Sequence, residues 1–132
     1  MMSITTLLAI GSGGFIGAVL RYLSNNYLSH YFSHQFPYGI LLINIFGSFL
    51  MGVIFSLFIT ATFLSHNPKL YSFLTAGILG AFTTYSTFAI ESFILFESGH
   101  TTLAIFNIIL NSVGSVMAAG LGYLLVKQII TG

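Results

Sequence analysis

Of 132 residues, 56% are hydrophobic and 4% charged, with a formal net charge of +1 and a mean hydropathy of +0.99. Soluble domains carry about a quarter charged residues, so three basic and two acidic side chains cannot clothe a globule of this length, and lipid must be the solvent for most of it. The charge balance leaves no basic face for nucleic acid and no acidic tail, and the absence of Cys excludes disulfides, thiolate catalysis and Cys-ligated metals.

The length fits one domain, residues 1–132, and four apolar segments divide it. The first covers residues 4–28; no positive n-region precedes it, so it reads as a retained membrane helix rather than a secretory signal. Arg21 and Tyr22 lie near its far end, where the guanidinium either anchors an aqueous vestibule or snorkels to the interface. A polar break follows through residues 29–37, and Pro37 marks the next helix start. The second segment, 38–63, carries one strongly polar residue, Asn44. Residues 65–69 form a turn, the third segment covers 70–96, and the fourth 102–130. Each exceeds the roughly 20 apolar residues that cross a bilayer, and backbone groups in lipid must be satisfied internally. The expected fold is therefore an all-α membrane protein of four transmembrane helices. The alternating strands of about ten residues that a β-barrel needs do not occur.

Small residues recur four apart at Gly13 and Gly17, Ser48 and Gly52, and Ala118 and Gly122, a spacing that lets helix backbones approach closely. Four thin helices enclose little pathway alone, which points to self-association. With both termini on one side, Lys69 and Lys127 share that side and Arg21 lies near the other. So weak a bias fits a chain that inserts both ways and pairs antiparallel with its own copy.

Polar residues inside apolar segments carry the functional information. Asn44 is either an interhelical bridge or a donor to an anion. Residues 77–88 of the third segment hold two glycines, four Ser or Thr residues and three aromatics, which weakens a continuous helix and predicts a break at mid-membrane depth. Such a break exposes carbonyls that can ligate a cation, while a half-helix N-terminus favours an anion. Glu91 lies one turn beyond Phe88 and is either a functional intramembrane carboxylate or a snorkelling or neutral one; Glu97 reads as interfacial. Asn107, Asn111 and Ser115 fall four apart and share a helix face. His30, His34, His66 and His100 all fall in breaks, and His30 with His34 offers too few ligands for a metal.

Three runs, GGFIGAVLRY at 13–22, GILLINIFGSF at 39–49 and GAFTTYSTF at 80–88, resemble the Fluc/CrcB fluoride channels across the whole chain. The resemblance implies an antiparallel, dual-topology homodimer with two fluoride pathways at the subunit interface. It also implies a structural Na⁺ at the dimer centre, held by backbone carbonyls of Gly80 and Thr83. On this likeness Tyr85 and Phe88 are the pore-lining aromatics and Asn44 the pore amide. Ser86, Thr87, Asn107 and Asn111 belong to a polar track, Glu91 matches a carboxylate beside it, and Arg21 the first-helix arginine. Tyr85 stands where the family usually has Phe, Ile40 where it has Thr, Ala81 where it has Gly, and Asn107 and Asn111 where hydroxyls are expected.

The implied function is a fluoride-selective channel in the cell membrane that lowers cytoplasmic fluoride by passive efflux. A proton-coupled fluoride exporter using Glu91 is the alternative. A small multidrug antiporter would need an acid in the first helix, which has none, and no convergent nucleophile–base set suggests an enzyme.

Overall fold

The computed structural model describes residues 3–132, apart from the side chains of residues 62 and 63, and every described element is helical. The order is α1 (Ile4–Tyr31), α2 (Tyr38–Thr60), α3 (Thr62–Ser65), α4 (Pro68–Ser72), a π-helical stretch (Phe73–Leu79), α5 (Gly80–Phe82), α6 (Tyr85–Glu97) and α7 (Thr101–Thr131). Among the described residues, four spans are long and apolar enough to cross a membrane: Ile4–Tyr31, Tyr38–Thr60, Pro68–Glu97 and Thr101–Thr131.

The boundaries depart from the sequence reading at three places. The second span ends at Thr60 rather than at 63, where the Thr60 hydroxyl donates to the Ser56 carbonyl (2.6 Å) and Ala61 turns extended; such back-bonding loosens helices. Pro68 and Lys69 belong to the third span instead of a turn, because Asn67 caps the Leu70 N–H and proline suits the first helical position. His30 lies in the last turn of α1, not in a break.

Between α6 and α7 the chain turns in three residues. His100 N–H donates to the Leu95 carbonyl (2.8 Å) and Gly99 N–H to the Phe96 carbonyl (3.1 Å), with Gly99 at φ +82°. This is the Schellman closure, and it needs a residue without a Cβ at that left-handed position.

Small residues set which helices touch. A side chain on Gly52 would strike the Ala119 carbonyl, and one on Gly122 the Phe49 carbonyl, so α2 and α7 meet backbone to backbone. Gly17 likewise sits against the Ile78 carbonyl, docking α1 on the third span. Gly13, Gly17, Gly52 and Gly122 are thus taken up by contacts inside the chain.

Candidate functional site

Thr83 and Thr84 interrupt the third span with extended backbone, at ψ 155° and at φ −148°, ψ 119°. Local chemistry explains the restart. The Thr84 hydroxyl accepts from Thr87 N–H (3.2 Å), a helix N-cap, and lies 3.0 Å from the Thr87 hydroxyl and 3.3 Å from that of Ser86. The Thr84 peptide group is taken by another helix. Its N–H donates to Asn44 Oδ1 (2.9 Å), and its carbonyl accepts from Asn44 Nδ2 (3.1 Å).

These bonds release two carbonyls. In an unbroken helix Thr84 N–H would serve the Gly80 carbonyl and Thr87 N–H that of Thr83, but both donors are turned elsewhere. Arg21 Nη1 approaches the Thr83 carbonyl at 3.4 Å.

Asn44 opens a line of buried amides. It donates to Asn111 Oδ1 (2.9 Å), Asn111 donates to Asn107 Oδ1 (2.8 Å), and Asn107 donates to Ser92 Oγ (2.9 Å). Asn44, Asn107, Asn111 and Ser92 are all buried, and an unpaired amide at such depth would be costly. Both N–H groups of Asn44 are therefore engaged within the chain.

Beside this line lies a groove of about 350 Å³, walled by Asn44, Ser48, Thr83, Thr84, Tyr85, Phe88, Asn111, Ser112 and Ser115. Tyr85 and Phe88 meet edge to face at its rim, with ring centroids 5.2 Å apart and planes at 75°. Phe88 is 6% exposed and Tyr85 79%, so one ring belongs to the interior and the other faces out. The groove thus joins amide, hydroxyl and ring-edge donors of partial positive charge without a fixed charge.

The sequence candidates divide accordingly. Asn44, Tyr85, Phe88, Asn111 and Thr83 line the groove; Ser86 and Thr87, on the first turn of α6, meet the Thr84 hydroxyl instead; Asn107 lies deeper in the amide line. Glu91 lines a separate pocket of about 260 Å³ with Asn25, Ser29, His34 and the turn ahead of α2. Sequence reading passed over Ser92 and Ser112, and took Ser48 for a helix-packing residue only. Their positions held a signal, since Ser48 follows Asn44 by four and Ser92 follows Phe88 by four, each on its neighbour's helix face.

The family model described as CrcB-like protein, Camphor Resistance (CrcB), matches residues 8–123. The chain belongs to the CrcB family. A Sulfurimonas denitrificans protein named as a fluoride-specific ion channel is 54% identical over 126 residues, spanning 96% of each chain. A Campylobacter jejuni protein with the same name is 44% identical over 124 residues, covering 94% of this chain and 99% of its own. One from Clostridium perfringens, again so named, is 41% identical over 127 residues, covering 96% and 98% respectively. With four candidate spans, this CrcB-family chain is a multi-pass membrane protein.

Proposed function

We propose that the protein is a fluoride-selective ion channel of the cell membrane, and not an enzyme. The observation that carries this is the 54% identity, over 96% of both chains, to a protein named as a fluoride-specific ion channel. The groove agrees with it chemically. Fluoride is small and strongly hydrated, so its water must be replaced by donors that need little reorganisation, and release requires that none bind too tightly. Ser48, Ser112 and Ser115, with the edges of Tyr85 and Phe88, supply such donors. In this reading Ser86 and Thr87 continue the polar track from the Thr84 hydroxyl, Arg21 stands at the Thr83 carbonyl, and Glu91 lies in the separate pocket farther along α6. Asn44 and Asn111 contribute their polar faces to the wall, although the Asn44 hydrogens already serve Thr84 and Asn111.

The working unit in this reading is an antiparallel, dual-topology homodimer, with the break at Thr83 and Thr84 at mid-membrane depth. The outward Tyr85 ring and the open groove are the surfaces that a second copy would complete. The carbonyls of Gly80 and Thr83, each without its helical donor, suit a Na⁺ shared by two copies, since hard cations take oxygen ligands. Arg21 competes at the Thr83 carbonyl, but a carbonyl has two lone pairs and can serve both. When bound, the ion would tie the two breaks together. The chain itself holds the carbonyls in place through the Asn44–Thr84 clamp.

Passive flow is favoured over proton-coupled export because the relatives are named as channels. Purified protein in liposomes should release fluoride, but not chloride, when an ionophore clamps the voltage. Release should follow the fluoride gradient alone. A reversal potential that moves with pH at fixed fluoride would transfer the reading to the exporter and implicate Glu91. Flux that is unchanged in strictly Na⁺-free buffer, with unchanged thermal stability, would count against the Na⁺ assignment.

A further inference from the structure

Ser92 lies outside the groove and two turns along α6 from the break, yet it closes a hydrogen-bonded circuit that reaches it. Its hydroxyl donates to the Phe88 carbonyl (2.8 Å) and accepts from Asn107 Nδ2 (2.9 Å). Asn107 Oδ1 accepts from Asn111 (2.8 Å), Asn111 Oδ1 from Asn44 (2.9 Å), and Asn44 Oδ1 from the Thr84 N–H (2.9 Å). The circuit leaves α6 at Ser92, crosses α7 and α2, and returns to the residue that caps α6.

Its direction is fixed at both ends. A backbone N–H only donates and a backbone carbonyl only accepts, and the circuit runs from the Thr84 N–H to the Phe88 carbonyl. Two further carbonyls enforce the same sense, that of Thr84 on Asn44 Nδ2 and that of Asn107 on Asn111 Nδ2. Turning one amide alone would set donor against donor on one side and acceptor against acceptor on the other. The three amides therefore hold one another, and Ser92 holds the last.

We propose that Ser92 is a positioning residue of the ion pathway. Acting through Asn107 and Asn111, it fixes the Asn44 amide that clamps the Thr84 peptide group and so sets where Tyr85 and Phe88 stand. This rests on the reading of the groove as the fluoride pathway. Ser92 itself is 4% exposed and does not line the groove.

The test combines flux with a local probe of Asn44. Wild-type protein, Ser92→Ala, Ser92→Cys and Ser92→Thr are reconstituted for fluoride efflux, and the same proteins, ¹⁵N-labelled at asparagine, report the Asn44 side-chain amide by NMR. Ser92→Ala should slow efflux about five- to tenfold, as expected for the loss of one orienting hydrogen bond, and should shift or broaden the Asn44 amide signals. Ser92→Thr keeps the hydroxyl and should restore both readouts. Ser92→Cys, nearly the size of serine but with a weak donor, should follow alanine, and it replaces alanine if that variant does not fold.

Wild-type efflux in folded Ser92→Ala or Ser92→Cys, or an unmoved Asn44 signal, overturns the proposal. So does a threonine variant as slow as alanine, which would mean that packing and not the hydroxyl matters. If wild-type liposomes pass no fluoride, the pathway reading itself falls. The Asn44 signal alone then decides whether Ser92 orients the amide.

Discussion

The same two helices, α2 and α7, pack in opposite ways at their two ends. Around Gly52 and Gly122 nothing stands between them, and each glycine lies against a carbonyl of the other helix. Around Asn44 and Asn111 an amide-to-amide hydrogen bond joins them instead, and Asn107 continues the line along α7. In lipid no hydrophobic effect favours helix association, so a seam must gain either close van der Waals contact or interhelical hydrogen bonds. This pair uses both, and at the amide end Asn44 and Asn111 line the groove beside Tyr85 and Phe88.

The glycine end should be the less forgiving. Gly122→Leu would drive a side chain into the Phe49 carbonyl and the Val53 amide, with a cost at or above the upper end of the roughly 1–3 kcal/mol typical of overpacking. We expect no monodisperse protein on size exclusion. Normal yield and melting would mean that the two backbones are not in contact there.

A change at the amide end should leave a folded but defective protein. Asn44→Asp presents acceptors to the Thr84 carbonyl and Asn111 Oδ1, which now receive hydrogen bonds. It should lower stability by about 1–3 kcal/mol and abolish fluoride efflux while the protein still elutes as a single species. Wild-type melting and flux would reduce Asn44 to filler.

Smaller effects are expected at the rings. Phe88→Ile keeps apolar bulk but removes the electropositive edge, a preference of about 0.5–1.5 kcal/mol that corresponds to roughly two- to tenfold in flux. Size exclusion and melting should stay normal, and undiminished efflux would remove the ring edge from the pathway. Tyr85→Phe should change flux least, because Tyr85 is 79% exposed and its ring stands at the rim of the groove. A large loss there would promote the Tyr85 hydroxyl to a pathway donor.

Much of this was legible beforehand, for identifiable reasons. Four spans follow from runs of apolar residues that no soluble fold could bury, and the break follows from Gly80 and the hydroxyl cluster behind it. The stripe of Asn107 and Asn111 was visible from spacing alone. Its partner Ser92 was not, because a lone serine in an apolar helix ordinarily bonds its own backbone, as Ser92 also does to Phe88. Nor could periodicity tell whether Gly13, Gly17, Gly52 and Gly122 face a neighbour in the same chain or a second copy, since either partner leaves the same spacing.

The π-helical stretch Phe73–Leu79 has a consequence for how this chain tolerates change. A π-turn houses one residue more than an α-turn, so the stretch acts as a phase shifter in the third span. Elsewhere in a span, losing one residue rotates everything beyond it by about 100° and turns its faces away from their partners. Within 73–79 a deletion can be absorbed by reverting the wide turn to α-helix. Length variants of this span should therefore survive here sooner than anywhere between Gly80 and Glu97, where the cap, the clamp and the rings all depend on angular position.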